Sequence, residues 1–210
     1  MAAVLAMTLL PPMASAQSTE AGTRRNASPT EAMRKMQLVA HCTARTYPEE
    51  SARLLDAVRG SQAERAQFLT LINKSWPRCR IGSRDVMRFD VAPVRGGISE
   101  VRYFERFGRD RPPRAAPELP HDPARFEKPA LAVLSLFSGC VVAARPADVH
   151  ALLLTEAGSP AELAAIRSIQ PAFGACLFEG MSADFSRSQL RANFGEALYR
   201  QAQAEPAASP

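Results

Sequence analysis

Apolar residues recur every three or four positions along several segments of the chain, which is the spacing of one face of an α-helix. Met33, Met36 and Val39 mark a helix over residues 31–45, and Val94 and Ile98 mark another over residues 92–106. Further apolar faces with this period are formed by Phe68, Leu71 and Ile72, by Leu163, Ile166 and Ile169, and by Leu190, Phe194 and Ala197. The pattern predicts an all-α fold.

The chain also repeats itself, with an offset of 98 residues that narrows to 96. Cys42 and Cys79 bracket a helical segment, and Cys140 and Cys176 bracket a second one with the same punctuation. The other matches are Pro48 with Pro146, Leu54 with Leu152, Gly60 with Gly158, Glu64 with Glu162, Arg95 with Arg191, Glu100 with Glu196 and Tyr103 with Tyr199. We predict a tandem duplication of a unit of about four short helices, over residues 31–107 and 130–202.

Both copies carry the same helix boundaries. Pro48 suits the first position of a helix, and Gly60 suits a left-handed turn after it. Ser61 with Glu64 predicts a capping box at the start of the next helix, and Ser159 with Glu162 repeats it. Pro77 and Pro171 are expected to end these helices before the second cysteine of each copy.

The remaining segments fall outside the repeat. Residues 108–129 hold six prolines in 22 residues and predict a connector between the copies. Residues 17–30 and 203–210 are polar or lack an apolar period and predict disordered tails. Ala130–Ala144 contains no charge but is shorter than the roughly 20 residues of a membrane-spanning helix, so we expect a buried core helix.

The N-terminal stretch suggests export. Residues 1–16 are apolar and end in Ala14, Ser15 and Ala16, which resembles a signal peptide with its cleavage site, although no Lys or Arg precedes it. Four cysteines that can pair are typical of an oxidising compartment. We therefore expect a periplasmic or secreted protein with no transmembrane segment in its mature chain.

Within a duplicated chain, the cysteines should pair inside each copy, because the ancestral unit would already have had its bond. This predicts the disulfides Cys42–Cys79 and Cys140–Cys176, each worth roughly 3–4 kcal/mol in the chain-entropy model. The sequence has no CxxC pair and no His and Cys cluster at the spacing of a metal site. We expect no metal site, no cofactor and no catalytic cysteine.

The most specific polar pattern is Arg95-x4-Glu100-x2-Tyr103, which returns as Arg191-x4-Glu196-x2-Tyr199. These six residues are the candidate binding residues. One interpretation is a pair of anion sites, or one cleft to which both copies contribute an Arg and a carboxylate. The other is that the Tyr anchors its helix in the core while the charges pair with neighbouring helices, and we favour this second interpretation.

Charge and histidines add less. The net charge is +5 and 23 of the 26 basic residues are Arg, but no basic run resembles a nucleic-acid-binding arm. The stretch from Arg102 to Arg114 mixes arginines with aromatic residues and is a weaker candidate for polyanion binding. His41, His121 and His150 lack ligand or catalytic partners at a recognised spacing, and His41 takes the place of Gly139 in the other copy.

The Cys-Val-Val of the second copy and the ending Leu190-Arg191-x4-Glu196-Ala197-Leu198-Tyr199 resemble a group of small, uncharacterised secreted bacterial proteins. The resemblance implies two helical units over about residues 31–200 and brings no activity, ligand or catalytic residue with it. The first copy departs from the ending motif at Ile98 and Arg102.

No catalytic residue can be assigned from the sequence. We expect a non-enzymatic periplasmic or envelope module that binds a macromolecule or a small ligand in the groove between the copies. The partner would be an envelope protein or an anionic envelope component, and no nucleic acid is expected. Two alternatives stay open: a hydrolase with its site in that groove, and a polyanion-binding envelope protein.

Overall fold

The computed structural model describes residues 28–81, 89–110, 112–113, 122–177 and 185–204. Within these ranges the chain is helical throughout and contains no strand, which confirms the all-α prediction. The predicted signal peptide, most of the N-terminal tail, His121 and residues 205–210 lie outside the described residues.

The first half of the fold comprises the helices α1 (Pro29–Thr46), α2 (Pro48–Asp56), α3 (Gln62–Cys79) and α4 (Val91–Phe107). Helix α1 begins two residues earlier than predicted, because the Ser28 hydroxyl accepts a hydrogen bond from the Glu31 amide and Pro29 occupies the first turn. Helix α2 likewise begins on a proline, Pro48. Gly60 has a φ of 84°, the left-handed geometry that favours glycine.

The second half repeats this order with α5 (Pro129–Ala144), α6 (Pro146–Leu154), α7 (Pro160–Ile169) and α9 (Arg187–Ala204). A 3₁₀ turn (Gln170–Ala172) and the single turn α8 (Phe173–Cys176) follow α7. Gln203 and Ala204, expected in a tail, belong to α9. Between the halves, the 3₁₀ turn Pro123–Arg125 lies in the predicted connector.

One predicted boundary is wrong. Pro171 interrupts the α-helix as expected, since a 3₁₀ turn replaces it there, but α3 continues through Pro77 to Cys79. A proline near the end of a helix removes one amide donor and disturbs only the last turn. The Arg80 amide still closes that turn by donating to the Trp76 carbonyl, and the disulfide of Cys79 ties it to α1.

Both predicted disulfides are confirmed. Cys42 bonds to Cys79 and Cys140 bonds to Cys176, across 37 and 36 residues. Each bond links the first helix of its half to the end of the segment that begins at the capping serine. No free cysteine remains.

Two apolar cores lie side by side and exchange residues. Leu54, Phe68 and Ile98 belong to the core of the first half. Tyr103 of α4, however, lies fully buried in the core of the second half, and Tyr199 of α9 packs against both cores. The two halves are therefore interlocked, rather than joined only by the connector.

Helices α4 and α9 make the closest contact between the halves. A Cβ atom added to Gly96 of α4 would lie 2.3 Å from the Cα of Ala192 on α9, so the two backbones touch where they cross. Gly97 similarly leaves room for Ala40 of α1, whose Cβ would be 2.6 Å away. Small residues thus allow the helix pair that positions the polar groups described below.

Helix α5 is buried over only part of its length. Phe137, Ser138, Val141 and Val142 are buried, whereas the residues before Phe137 are half-buried or exposed. Among the described residues, no single helix is long and apolar enough to span a membrane. Helices α5 and α6 reach that length and composition only together, and they meet at an angle of 102°.

Candidate functional site

The repeated Arg and Glu residues form reciprocal pairs between the halves. Arg95 of α4 donates from Nε and Nη2 to both carboxylate oxygens of Glu196 on α9, at 3.0 and 2.8 Å. Arg191 of α9 donates in the same bidentate manner to Glu100 of α4, at 2.7 and 3.1 Å. All four residues are at least 95% buried, so these are charge pairs in the interior.

Each arginine also closes a helix end in its own half. Arg95 donates to the carbonyls of Leu54 and Leu55, at the end of α2, and to Glu64, at 2.6 Å for Leu55 and 3.1 Å for Glu64. The last carbonyls of a helix have no partner within the helix and carry partial negative charge. All five guanidinium donors of Arg95 are therefore used.

Arg191 makes the matching set of bonds in the second half, with Leu152, Leu153 and Thr155 at the end of α6 and with Glu162. Glu64 and Glu162 are the acidic residues of the predicted capping boxes. The serine half of each box is confirmed, since Ser61 and Ser159 accept from the amides of those glutamates. Each glutamate, however, accepts from the glycine amide before the serine, because the serine amide is already bonded to a turn carbonyl.

The ion pairs hold both central carboxyl groups in the charged form. Burial by itself would raise the pKa of Glu196, but Arg95, Arg59 and Arg200 outweigh burial and the pKa lies well below its usual value. The pKa of Glu100 is lowered in the same way, with Arg191 and a hydrogen bond from His41 overcoming the effect of burial. Neither carboxyl group carries a proton at neutral pH.

The two repeated tyrosines serve different surroundings. The Tyr103 hydroxyl and Nδ1 of His150 share a 2.8 Å hydrogen bond inside the core of the second half, and Nε2 of His150 lies 2.9 Å from the carbonyl of Arg109. The Tyr199 hydroxyl is exposed and accepts from Gln203. The six candidate residues therefore do not converge on one pocket.

The space beside Glu100 is filled by α1, and we call this region the His41 side. Gln37 and His41 each contact the Oε2 atom of Glu100 at 3.0 Å. The Gln37 carbonyl group also accepts from the Ala157 amide at 2.9 Å, which ties α1 to the second half. A cavity of about 120 Å³ remains there, lined mainly by apolar side chains such as Met33 and Met36.

The space beside Glu196 is open, and we call this region the arginine cleft. Its volume is about 460 Å³, and Arg59, Arg125 and Arg200 line it together with Glu196 and Asp122. The other lining residues are Ala57, Phe126, Ser135, Leu136, Gly139, Ala197, Gln201, Gln203 and Ala204. They come from the first half, the connector and the second half.

Residues at matched positions explain why only this side is open. Gln37 and His41 lie five residues and one residue before Cys42, and Ser135 and Gly139 lie at the same distances before Cys140. The shorter side chains on α5 do not reach toward the glutamate. A Cβ atom on Gly139 would meet only Nε2 of Gln201, at 3.9 Å, so this part of the cleft has room for a side chain.

The positive charges of the cleft are also unmatched. Arg59 stands where the other half has Ala157, and Arg200 stands where it has Phe104. Arg59 donates to Asn193 at 3.1 Å, and its Nη1 atom lies 3.8 Å from Glu196. Arg200 donates to Glu196 and to the Leu55 carbonyl through Nε and Nη2, while no bond of its Nη1 atom is present in the described part of the chain.

Arg125 is the cation that lacks an anion. Its guanidinium makes no hydrogen bond and no ion pair within 4 Å among the described residues, and Asp122 instead accepts from the Ala124 amide. Burial lowers the pKa of Arg125, the charge of Arg200 lowers it further, and Glu196 does not compensate. The connector holds it in place, because Arg59 exchanges backbone hydrogen bonds with Arg125 and Glu127 at 2.8 and 2.9 Å.

The other sequence candidates offer less. In the arginine-rich stretch, Arg102 donates to Glu105 and to the Pro48 carbonyl, and Arg109 stacks on Phe104 with 4.6 Å between its Cζ atom and the ring centre. Arg111 and Arg114 lie outside the described residues. Within the described ranges, no three His, Cys, Asp or Glu side chains are grouped closely enough to hold a metal ion.

Comparison of the chain with models of known protein families, with curated proteins and with solved structures finds no match. The resemblance of its ending to secreted helical proteins therefore stays an expectation from the sequence.

Sequence reasoning missed Arg59, Arg125 and Arg200, the residues that define the cleft. It concentrated on residues that both halves share, whereas these are residues that differ. The usable signal was the set of mismatches at equivalent positions, in particular Arg59 against Ala157 and Gly139 against His41.

Proposed function

We propose that the protein is an exported, non-enzymatic binding protein that takes a small organic anion in the arginine cleft. The observation that carries this proposal is the difference between two matched regions. Around Glu100, Gln37 and His41 fill the space, whereas around Glu196 the corresponding space is open and lined by three arginines.

Arg125 gives the cleft its preference for an anion. A partly buried guanidinium without a counter-ion is unfavourable, because it loses hydration without gaining an ion pair. A carboxylate or phosphate bound to Arg125 and to the free Nη1 atom of Arg200 would supply that pair. The planar guanidinium group suits both kinds of anion, since two of its N–H groups can bind two oxygens at once.

The size and lining of the cleft favour a small molecule or a short segment of a larger one. Ligand pockets in proteins have volumes of about 300–1,000 Å³, and the volume of this cleft is about 460 Å³. Leu136 and Phe126 provide apolar surface beside the arginines. An anion with an apolar body fits this combination better than a bare inorganic ion.

The hydrolase alternative receives less support. A general acid must carry a proton at working pH, and the lowered pKa of Glu100 and of Glu196 keeps both carboxylates ionised. The oxygens of both carboxylates are also occupied by buried arginines. Binding without turnover is therefore the function that we propose.

Export and duplication complete the proposal. Two disulfides and no free thiol among the described residues support an oxidising compartment, periplasmic or extracellular. The reciprocal ion pairs at matched positions support a duplication in which both copies kept the framework. In that history only one of the two glutamate sides became a ligand site.

Isothermal titration of the full chain with hexanoate and with inorganic phosphate tests the proposal. We expect one binding site and a loss of affinity of at least about tenfold in Arg125→Gln, because one charge-assisted contact is worth roughly 1.5–3 kcal/mol. Gly139→Leu should fill the cleft and abolish binding. Arg167→Gln removes the same charge from an exposed position that does not line the cleft, and it should bind as the parent does.

The proposal is wrong if neither anion binds at millimolar concentration. It is equally wrong if Arg125→Gln and Arg167→Gln bind alike, because the anion would then respond only to overall charge.

A further inference from the structure

One buried polar atom of the arginine cleft has no partner. The Oε1 atom of Gln201 is inaccessible to solvent and accepts no hydrogen bond, and the residue as a whole is 1% exposed. The Nε2 atom of the same amide donates to the Gly139 carbonyl at 2.8 Å, which fixes the orientation of the group. The atom left over is therefore an acceptor, and only an N–H or O–H group can satisfy it.

An unsatisfied acceptor in the interior is unfavourable by roughly 1–3 kcal/mol, and such groups in folded proteins usually have an explanation. Gln201 lines the cleft together with Arg125, Arg200 and Leu136. The cleft thus offers three kinds of contact: guanidinium donors, an apolar surface and a lone acceptor.

Building on the anion site proposed above, we infer that the ligand is an N-acylated amino acid carboxylate, which is the chemistry of a peptide C-terminus. Its carboxylate binds Arg125 and Arg200. Its amide N–H, two bonds from the carboxylate carbon, donates to Oε1 of Gln201. An apolar side chain lies against Leu136 and Phe126. A fatty acid would supply the first and third contacts but not the second.

Paired ligands separate this inference from the simpler anion site. N-acetylnorleucine is hexanoate with an acetamido group beside the carboxylate, so the two compounds differ only in the group that reaches Gln201. We expect N-acetylnorleucine to bind the full chain about tenfold more tightly than hexanoate, since a satisfied buried acceptor contributes about 1 kcal/mol or more. Its carboxamide, which lacks the negative charge, should not bind.

Gln201→Met removes the acceptor while keeping the length of the side chain. In this variant the affinity for N-acetylnorleucine should fall to that of hexanoate, and the affinity for hexanoate should stay unchanged, which shows that the cleft is intact. If the variant does not fold, the comparison of the two ligands on the unaltered chain still decides.

Equal affinity for hexanoate and N-acetylnorleucine would overturn the inference while leaving the anion site standing, provided that both still depend on Arg125. Tighter binding of glucuronate, whose donors are hydroxyl groups, would also overturn it. Failure of every anion to bind would instead overturn the proposed function itself. An acetylated dipeptide ending in norleucine separates two sources of the same chemistry: if it binds as well, the ligand is a peptide end, and if it does not, the ligand is a free amino acid derivative.

Discussion

The His41 side and the arginine cleft are built on the same framework and differ in what covers the central glutamate. In both, a buried arginine binds a glutamate of the other half, two carbonyls at a helix end and the glutamate of a capping serine. Beside Glu100 the neighbours are Gln37 and His41 of α1, and beside Glu196 they are Arg59 and Arg200.

This difference separates structure from function. A contact present on both sides is one that the fold requires, because each half uses it to hold two helices against the other half. A feature present on one side only is not required by the framework. The open volume and the extra arginines beside Glu196 are of this second kind, which is why we assign the ligand site to that side.

Removing each central arginine should break the comparison most strongly. Arg191→Met leaves Glu100 buried with only Gln37 and His41 beside it, and the loss of one partner of a buried pair lowers the free energy of unfolding by about 3–5 kcal/mol. Arg95→Met leaves Glu196 with Arg59 and Arg200, so its loss should be smaller by about 1–2 kcal/mol. Urea denaturation at neutral pH measures both.

Arg187→Met serves as the control for charge and side-chain length, since Arg187 lies at the half-buried start of α9 and forms no ion pair with another described residue. Equal losses for Arg95→Met and Arg191→Met would show that Arg59 and Arg200 do not stabilise Glu196.

The helix crossing should be nearly as sensitive. In Gly96→Ala the new Cβ atom would lie 2.3 Å from the Cα of Ala192, so α4 and α9 must separate. Overpacking of this kind lowers the free energy of unfolding by about 1–3 kcal/mol. Gly174→Ala is the matched control, because a Cβ atom there meets nothing within 4 Å. Equal stabilities of the two variants would contradict the close crossing.

The sequence was a good guide to the helices and the disulfides. Proline at the first turn, serine three residues before glutamate and the paired cysteines act through neighbours close in the chain, and their repetition removed ambiguity. Pro77 misled because its effect depends on how much helix follows it, and only the disulfide-tied turn to Cys79 follows here.

The candidate site could not be predicted in the same way. Arg59, Arg125 and Arg200 lie far apart in the chain and meet only when the connector packs against the loop before α3 and both lie beside α9. The pattern shared by Arg95 and Arg191 did predict that these arginines matter. It could not show that each pairs across the halves, because a helical face does not specify its partner.

Acid should affect the two glutamates differently. Both carboxyl groups have a pKa below that of the unfolded chain, so their contribution to stability is present above about pH 4.3, the usual pKa of Glu, and is lost as the pH falls. Each group adds at most about 1.4 kcal/mol per pH unit to the slope of stability against pH. Glu196→Gln and Glu100→Gln should each flatten that slope below pH 5.

The flattening should extend to lower pH in Glu196→Gln, because three guanidinium groups lie within 4 Å of Glu196 and only that of Arg191 does so for Glu100. Denaturant titrations at several acidic pH values measure the slopes. An unchanged slope in both variants would show that other carboxyl groups control the acid response.

Gly139→Ala should produce the smallest change and the most specific one. Glycine inside a helix is less favourable than alanine by roughly 0.5–1 kcal/mol, and the added methyl group would meet only Nε2 of Gln201, at 3.9 Å. The variant should therefore unfold at slightly higher temperature, in contrast to Gly96→Ala. The arginine cleft keeps most of its volume with a methyl group at this position and loses it with the larger side chain of Gly139→Leu. Hexanoate should accordingly bind Gly139→Ala nearly as it binds the parent chain, and a loss of stability in this variant would show that the cleft is closed where we describe it as open.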